Sequence, residues 1–81
     1  MMEYLALFYT STGAVKFKRK LDRLAIPVEL LPVPSSFSAG CGVAARFFVL
    51  DPGPLLDASI EKLYKNIAGK YILQNIKRVK S

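Results

Sequence analysis

The sequence predicts an α+β fold: a ferredoxin-like βαββαβ sandwich, with a four-stranded antiparallel sheet and two helices on one face. Three observations lead there. Short apolar and aromatic runs alternate with two stretches whose apolar residues recur at helical spacing. Glycine, proline, serine and threonine cluster at the junctions between them. The 81 residues carry no repeat, linker or low-complexity tract, which makes residues 1–81 a single ferredoxin-like domain.

Residues 4–9 are short, apolar and aromatic, as a strand would be, and Thr10, Ser11, Thr12 and Gly13 follow at once. Ser11 or Thr12 can cap the exposed amides of a helix that begins there. Ala14, Phe17, Leu21 and Leu24 then recur three and four apart on one face, with Lys16, Lys18, Arg19, Lys20 and Arg23 over the rest, giving a basic amphipathic helix. Residues 27–31 form a second strand, ended by Pro32 and Pro34, which have no amide to give a ladder. After a loop to Gly42, residues 43–50 form a third strand. Val43, Ala45, Phe47 and Val49 face one way and Ala44, Arg46, Phe48 and Leu50 the other, and two largely apolar faces mark a central strand. Beyond a turn at Asp51, Pro52, Gly53 and Pro54, the spacing of Leu56, Ile60, Leu63 and Ile67 predicts a second helix, with Gly69 as its stop. Residues 71–76 are the last strand and 77–81 a basic tail. In this order the first and third strands are central neighbours, and strands two and four are edges through which a homodimer can form.

Composition narrows the function. The chain is 52% hydrophobic, enough to build a core without a cofactor, and none is expected. The net charge of +6, from 12 Lys+Arg against 6 Asp+Glu, favours anionic partners: nucleic acid, an acidic protein surface or a charged small molecule. The opening segment has no basic start, and its apolar run is too short for a signal peptide or a membrane span. A cytoplasmic protein with no membrane partner is expected. One cysteine cannot make an intrachain disulfide, and without histidine it cannot join a zinc site of the usual kind. With no histidine base, no paired carboxylates and no Gly-rich phosphate motif, a non-catalytic role is favoured over a free-standing enzyme.

That cysteine, Cys41, stands between Gly40 and Gly42, after a Pro- and Ser-rich stretch and before the third strand. Residues without Cβ allow positive φ and close approach of another molecule, which makes this thiol reachable. The competing reading is a small buried hydrophobe flanked by a tight turn. The predicted topology puts the start of strand three at the edge where strand one ends. Cys41 is therefore expected near residues 9–13, facing the N-terminus of the first helix, where amides and dipole favour a thiolate. Thr10, Ser11 and Thr12 are candidate hydrogen-bond donors beside Gly13, although helix capping explains them equally. Arg46 is a further source of positive charge, ranked below the helix terminus.

Leu31, Pro32, Val33 and Pro34, then Ser35, Ser36, Phe37, Ser38, Ala39, Gly40, Cys41, Gly42, Val43, Ala44, Ala45, Arg46 and Phe47, resemble a signature of a small bacterial family of selenium/sulfur carrier protein-like domains. Members have an apolar strand ending in a Ser/Thr turn, one helix, a Pro-x-Pro segment, and Cys-Gly before an apolar strand with a basic and an aromatic residue. This chain departs from the pattern at Ser35, where a basic residue is common, and at Gly40, where serine is. The resemblance implies that Cys41 is the carrier thiol and Gly42 its companion. It also implies that reduced sulfur or selenium travels on Cys41 as a persulfide or selenosulfide, between a donor enzyme and an acceptor protein.

Two other classes compete. A single-stranded nucleic-acid-binding module with the same element order would stack bases on Tyr4, Phe8, Phe47 and Phe48, although core packing also accounts for them and the third strand lacks the aromatic that RNA-recognition domains carry after the glycine. A protein-interaction module would leave Cys41 incidental.

Overall fold

The computed structural model describes residues 1–34, 37 and 42–76. Its elements are β1 (Met2–Phe8), α1 (Ser11–Arg23), β2 (Val28–Pro32), β3 (Val43–Val49), a 3₁₀ turn at Gly53–Leu55, β4 (Ile60–Ile67) and β5 (Lys70–Gln74). The strands form one antiparallel sheet in the order β2-β3-β1-β4-β5.

The first half follows the sequence. β1 and β3 are central neighbours, with Leu7 opposite Ala44 and Leu5 opposite Arg46. α1 connects β1 to β2 while β3 lies between those two strands. The helix packs over β1, β2 and β3 with Ala14, Phe17 and Leu21, three of the four residues of the apolar stripe read from the sequence; the fourth, Leu24, is the C-cap and is exposed. Thr10, rather than Ser11 or Thr12, is the N-cap: its Oγ1 accepts from the Gly13 amide at 3.2 Å. The helix ends in a Schellman motif, in which the Ile26 amide reaches the Leu21 carbonyl at 2.9 Å, the Ala25 amide reaches Asp22 at 3.1 Å, and Ala25 takes a left-handed φ of 57°. Pro32 continues β2 opposite Val43 instead of ending it, which an edge strand permits because the missing amide need not face the ladder.

The second half corrects the ferredoxin-like expectation: among the described residues there is one α-helix, and the sheet has five strands. The segment read as a second helix is β4, which pairs with β1 and then turns back into β5. The misleading signal has a local cause. Phe8 is opposite Ile60 and Leu7 is opposite Lys62, so Glu61 is an extra residue, a β-bulge. The bulge brings Ile60 and Leu63, three apart, onto the same face of the sheet, where both are buried against α1's side. Gly69 is the second residue of a two-residue turn, with φ 84° after Ala68 at φ 52°. Positive φ at both positions is what a type I′ hairpin requires. The Asn66 Oδ1 accepts from the Gly69 amide at 3.0 Å and steadies this turn.

Two apolar layers result. Beneath the helix, Phe17 meets Phe8 at 5.3 Å and Phe47 at 5.1 Å between ring centroids, joined by Tyr4, Ala6, Ala45, Leu55, Ile60 and Leu63. A fully buried ring of this size stabilises by about 1.5–3 kcal/mol, so these three rings hold α1 on the sheet. Among the described residues, the opposite face carries no helix. There Leu5, Leu7 and Ala44 are covered by Leu31, Val33, Phe37, Tyr64 and Tyr71. Among the described residues, no helix is long and apolar enough to cross a membrane.

Candidate functional site

Cys41 and Gly40 lie outside the described residues, so the site is framed by its neighbours on both sides. Gly42 leads into β3, and its carbonyl accepts from the Val33 amide at 3.1 Å. Because Ala44 is opposite Leu7, Gly42 and Tyr9 leave the sheet at the same edge. Gly42 itself is exposed, and its φ is not in the left-handed region. A Cβ built there meets nothing within 4 Å, so no contact of the fold demands glycine. What its lack of a side chain leaves open is the backbone directly after the thiol-bearing residue.

On the other side in sequence, Phe37 is packed on the face of the sheet opposite α1. Phe37 stacks on Tyr64 at 4.5 Å and meets Tyr71 edge-on at 6.1 Å. Tyr71 donates through its hydroxyl to Glu3 Oε2, and Asn66 Nδ2 donates to Glu3 Oε1 at 3.2 Å. The hydrogen bond to the Glu3 carboxylate, then burial and the Glu3 charge, hold the Tyr71 phenol above its usual range against an opposing effect of Arg46. Phe37 was not among the candidates read from the sequence; an aromatic between serines in a Pro/Ser-rich loop was the available signal.

The supporting residues separate into two groups. Ser11, Thr12 and Gly13 form the first turn of α1, at the end of β1. Gly13 has a packing reason of its own: a Cβ on it would stand 2.9 Å from Ser59 Cβ, closer than real side chains come. Arg46 is on the other side of the sheet. Its Nη2 donates to Glu29 Oε1 at 2.8 Å, its guanidinium sits 5.9 Å from the Phe48 ring centre, and its Nε is buried with no partner among the described residues. The sheet therefore stands between Arg46 and the helix terminus.

Lys16, Arg19, Lys20 and Arg23 line an open groove of about 390 Å³ beside Asp57. Lys20 is engaged there with the Leu55 carbonyl at 2.7 Å and Asp57 Oδ2 at 3.1 Å. Burial pushes the Asp57 carboxyl up, but the Ser59 hydroxyl and amide, with Lys20, outweigh it and leave the carboxyl below its usual range. Of the aromatics considered for base stacking, Tyr4, Phe8 and Phe47 are buried beneath α1, and Phe48 alone lies on the other face. Among the described residues, no three acidic, cysteine or histidine side chains gather as a metal site.

No curated protein and no solved structure matches the chain. The family model described as "Putative Se/S carrier protein-like" matches residues 3–71, from the second residue of β1 into β5, and the chain belongs to that family.

Proposed function

We propose that the protein carries reduced sulfur or selenium on Cys41, as a persulfide or selenosulfide, from a donor enzyme to an acceptor protein. The observation that carries the reading is that a chain of this Se/S carrier-like family has one cysteine in all its 81 residues, which supports reading that thiol as the carrier. The open backbone at Gly42 supports access to it.

The chemistry needs one thiolate. Cys41 attacks the terminal sulfur of the donor's persulfide; the donor's S–S bond breaks, its cysteine leaves as a thiolate, and a new S–S bond forms on Cys41. The sulfur moves at unchanged oxidation state, so no external oxidant enters. A resolving cysteine on the same chain would collapse the persulfide into a disulfide, and the sequence has none. The cationic groove along α1 suits an acidic surface on the donor or the acceptor.

Intact-mass spectrometry tests the loading step: reduced protein is incubated with a cysteine desulfurase and cysteine, beside Cys41→Ser. Addition of one sulfur to the native chain alone supports the proposal. An unmodified native chain, with a thiol that is alkylated only after unfolding, overturns it and leaves an interaction module as the better reading.

A further inference from the structure

The two edges of the sheet are built differently. β2 is flanked by Pro27, ends in Pro32, and carries Glu29 in an ion pair with Arg46, the features that discourage strand pairing. β5 has no proline and no bulge, and presents Ile72 at 45% and Leu73 at 58% exposure on its two faces. We infer that β5 is a dimerisation edge, on which a second copy of this chain pairs antiparallel about a two-fold axis at Ile72.

Register supplies the argument. Ile67 and Lys70 close a two-residue turn and so form a hydrogen-bonded pair. By alternation Lys65–Ile72 and Leu63–Gln74 are hydrogen-bonded too, while Tyr71 and Leu73 turn their backbone N–H and C=O groups outward. An axis at Ile72 sets Tyr71 opposite Leu73 of the partner copy and the reverse, so all four outward N–H groups meet outward carbonyls. The side chains agree with the backbone. Ile72 meets its own symmetry mate on the helix side, Tyr71 meets Leu73 on the other face, and Lys70 is opposite Gln74, so no like charges face each other. The result is a continuous ten-stranded sheet in which both copies present Phe37 on the same face.

A strand pair of five residues is a small interface, and the association is weak. The +6 charge on each copy opposes it, so added salt strengthens the dimer, the reverse of an association with an anionic partner.

Sedimentation of the full chain up to about 1 mM, together with amide exchange by NMR, tests the inference. The expected result is a monomer–dimer equilibrium in which the Tyr71 and Leu73 amides become protected as concentration rises, while Ile72 is protected throughout. Ile72→Lys, which sets two ammonium groups across the axis, weakens association at least tenfold. Leu73→Pro, which deletes an outward amide without touching the hairpin's own bonds, does the same. A monomer at every concentration overturns the inference, as does a dimer indifferent to both substitutions. Protection of Tyr71 and Leu73 that is independent of concentration also overturns it, since that identifies a covering segment of the same chain.

Discussion

Replacing Gly13 by alanine probes how the first turn of α1 is seated against the sheet. The new methyl would stand 2.9 Å from Ser59 Cβ and 3.4 Å from Ser59 Oγ. Ser59 is not free to retreat: its amide donates to Asp57 Oδ1 at 2.9 Å and its carbonyl accepts from the Tyr9 amide at 3.2 Å. Overpacking of this kind costs about 1–3 kcal/mol. Alanine returns at most about 1 kcal/mol of helix propensity, and less in a first turn. Gly13→Ala is therefore expected to destabilise by about 1–2 kcal/mol, lowering Tm by roughly 4–8 °C per kcal/mol in a domain of this size. Urea denaturation at unchanged m-value measures it. Ser59→Gly removes the obstructing atom at the cost of its hydroxyl bond to Asp57, and in that background Gly13→Ala should become neutral or favourable. A coupling of at least about 1 kcal/mol between the two sites is expected. If Gly13→Ala is neutral in both backgrounds, the close approach does not constrain the fold, and Gly13 becomes available for a role at the thiol.

Gly42→Ala should change stability by less than about 0.5 kcal/mol, because the added methyl meets nothing, yet slow sulfur loading if partners use the open backbone there; paired denaturation and loading time courses check both halves. Phe37→Ala removes a half-buried ring from Tyr64 and Tyr71 and should cost about 2 kcal/mol, roughly half the value for a fully buried phenylalanine, by the same denaturation measurement. The raised Tyr71 phenol contributes stability that is present below its unfolded pKa of about 10 and lost as pH rises through the higher folded value. Tyr71→Phe should therefore lower stability at neutral pH by about 1 kcal/mol and shrink that difference above pH 10. Asp57, held low, acts at the other end: its contribution is present above about pH 3.8 and fades as pH falls through its lower folded value, so Asp57→Asn should flatten the acid limb of the stability profile.

The legible part of the fold was the part in which local pattern and tertiary face agree. In β1, β3 and α1 the apolar period of the sequence is the period of burial, and the alternation of Ala45, Phe47 and Val49 against Ala44, Arg46 and Phe48 is reproduced. β4 escaped because its bulge at Glu61 converts a three-residue spacing, Ile60 to Leu63, into a same-face pair within a strand. Gly69 did not discriminate, since a helix C-cap and a type I′ turn both need a residue at positive φ. At the site, the sequence named Gly13 for its neighbourhood to a thiol, whereas its tight contact with Ser59 joins residues 46 positions apart and has no local signature. Arg46, by its strand position, lies across the sheet from α1 and is bonded to Glu29. Phe37, four residues before Cys41, packs on β4 and β5, a hairpin absent from the pattern read in the sequence.

The central claim, that Cys41 gives up what it receives, is tested most directly by a discharge measurement. Protein loaded with labelled sulfur is freed of its donor and mixed with a stoichiometric thiol acceptor, and both intact masses are followed. The account predicts that the native chain returns to its unloaded mass while the acceptor gains the labelled sulfur, and that Cys41→Ser neither loads nor discharges. Loading elsewhere than on Cys41, or label that stays on the chain until it is unfolded, would contradict it.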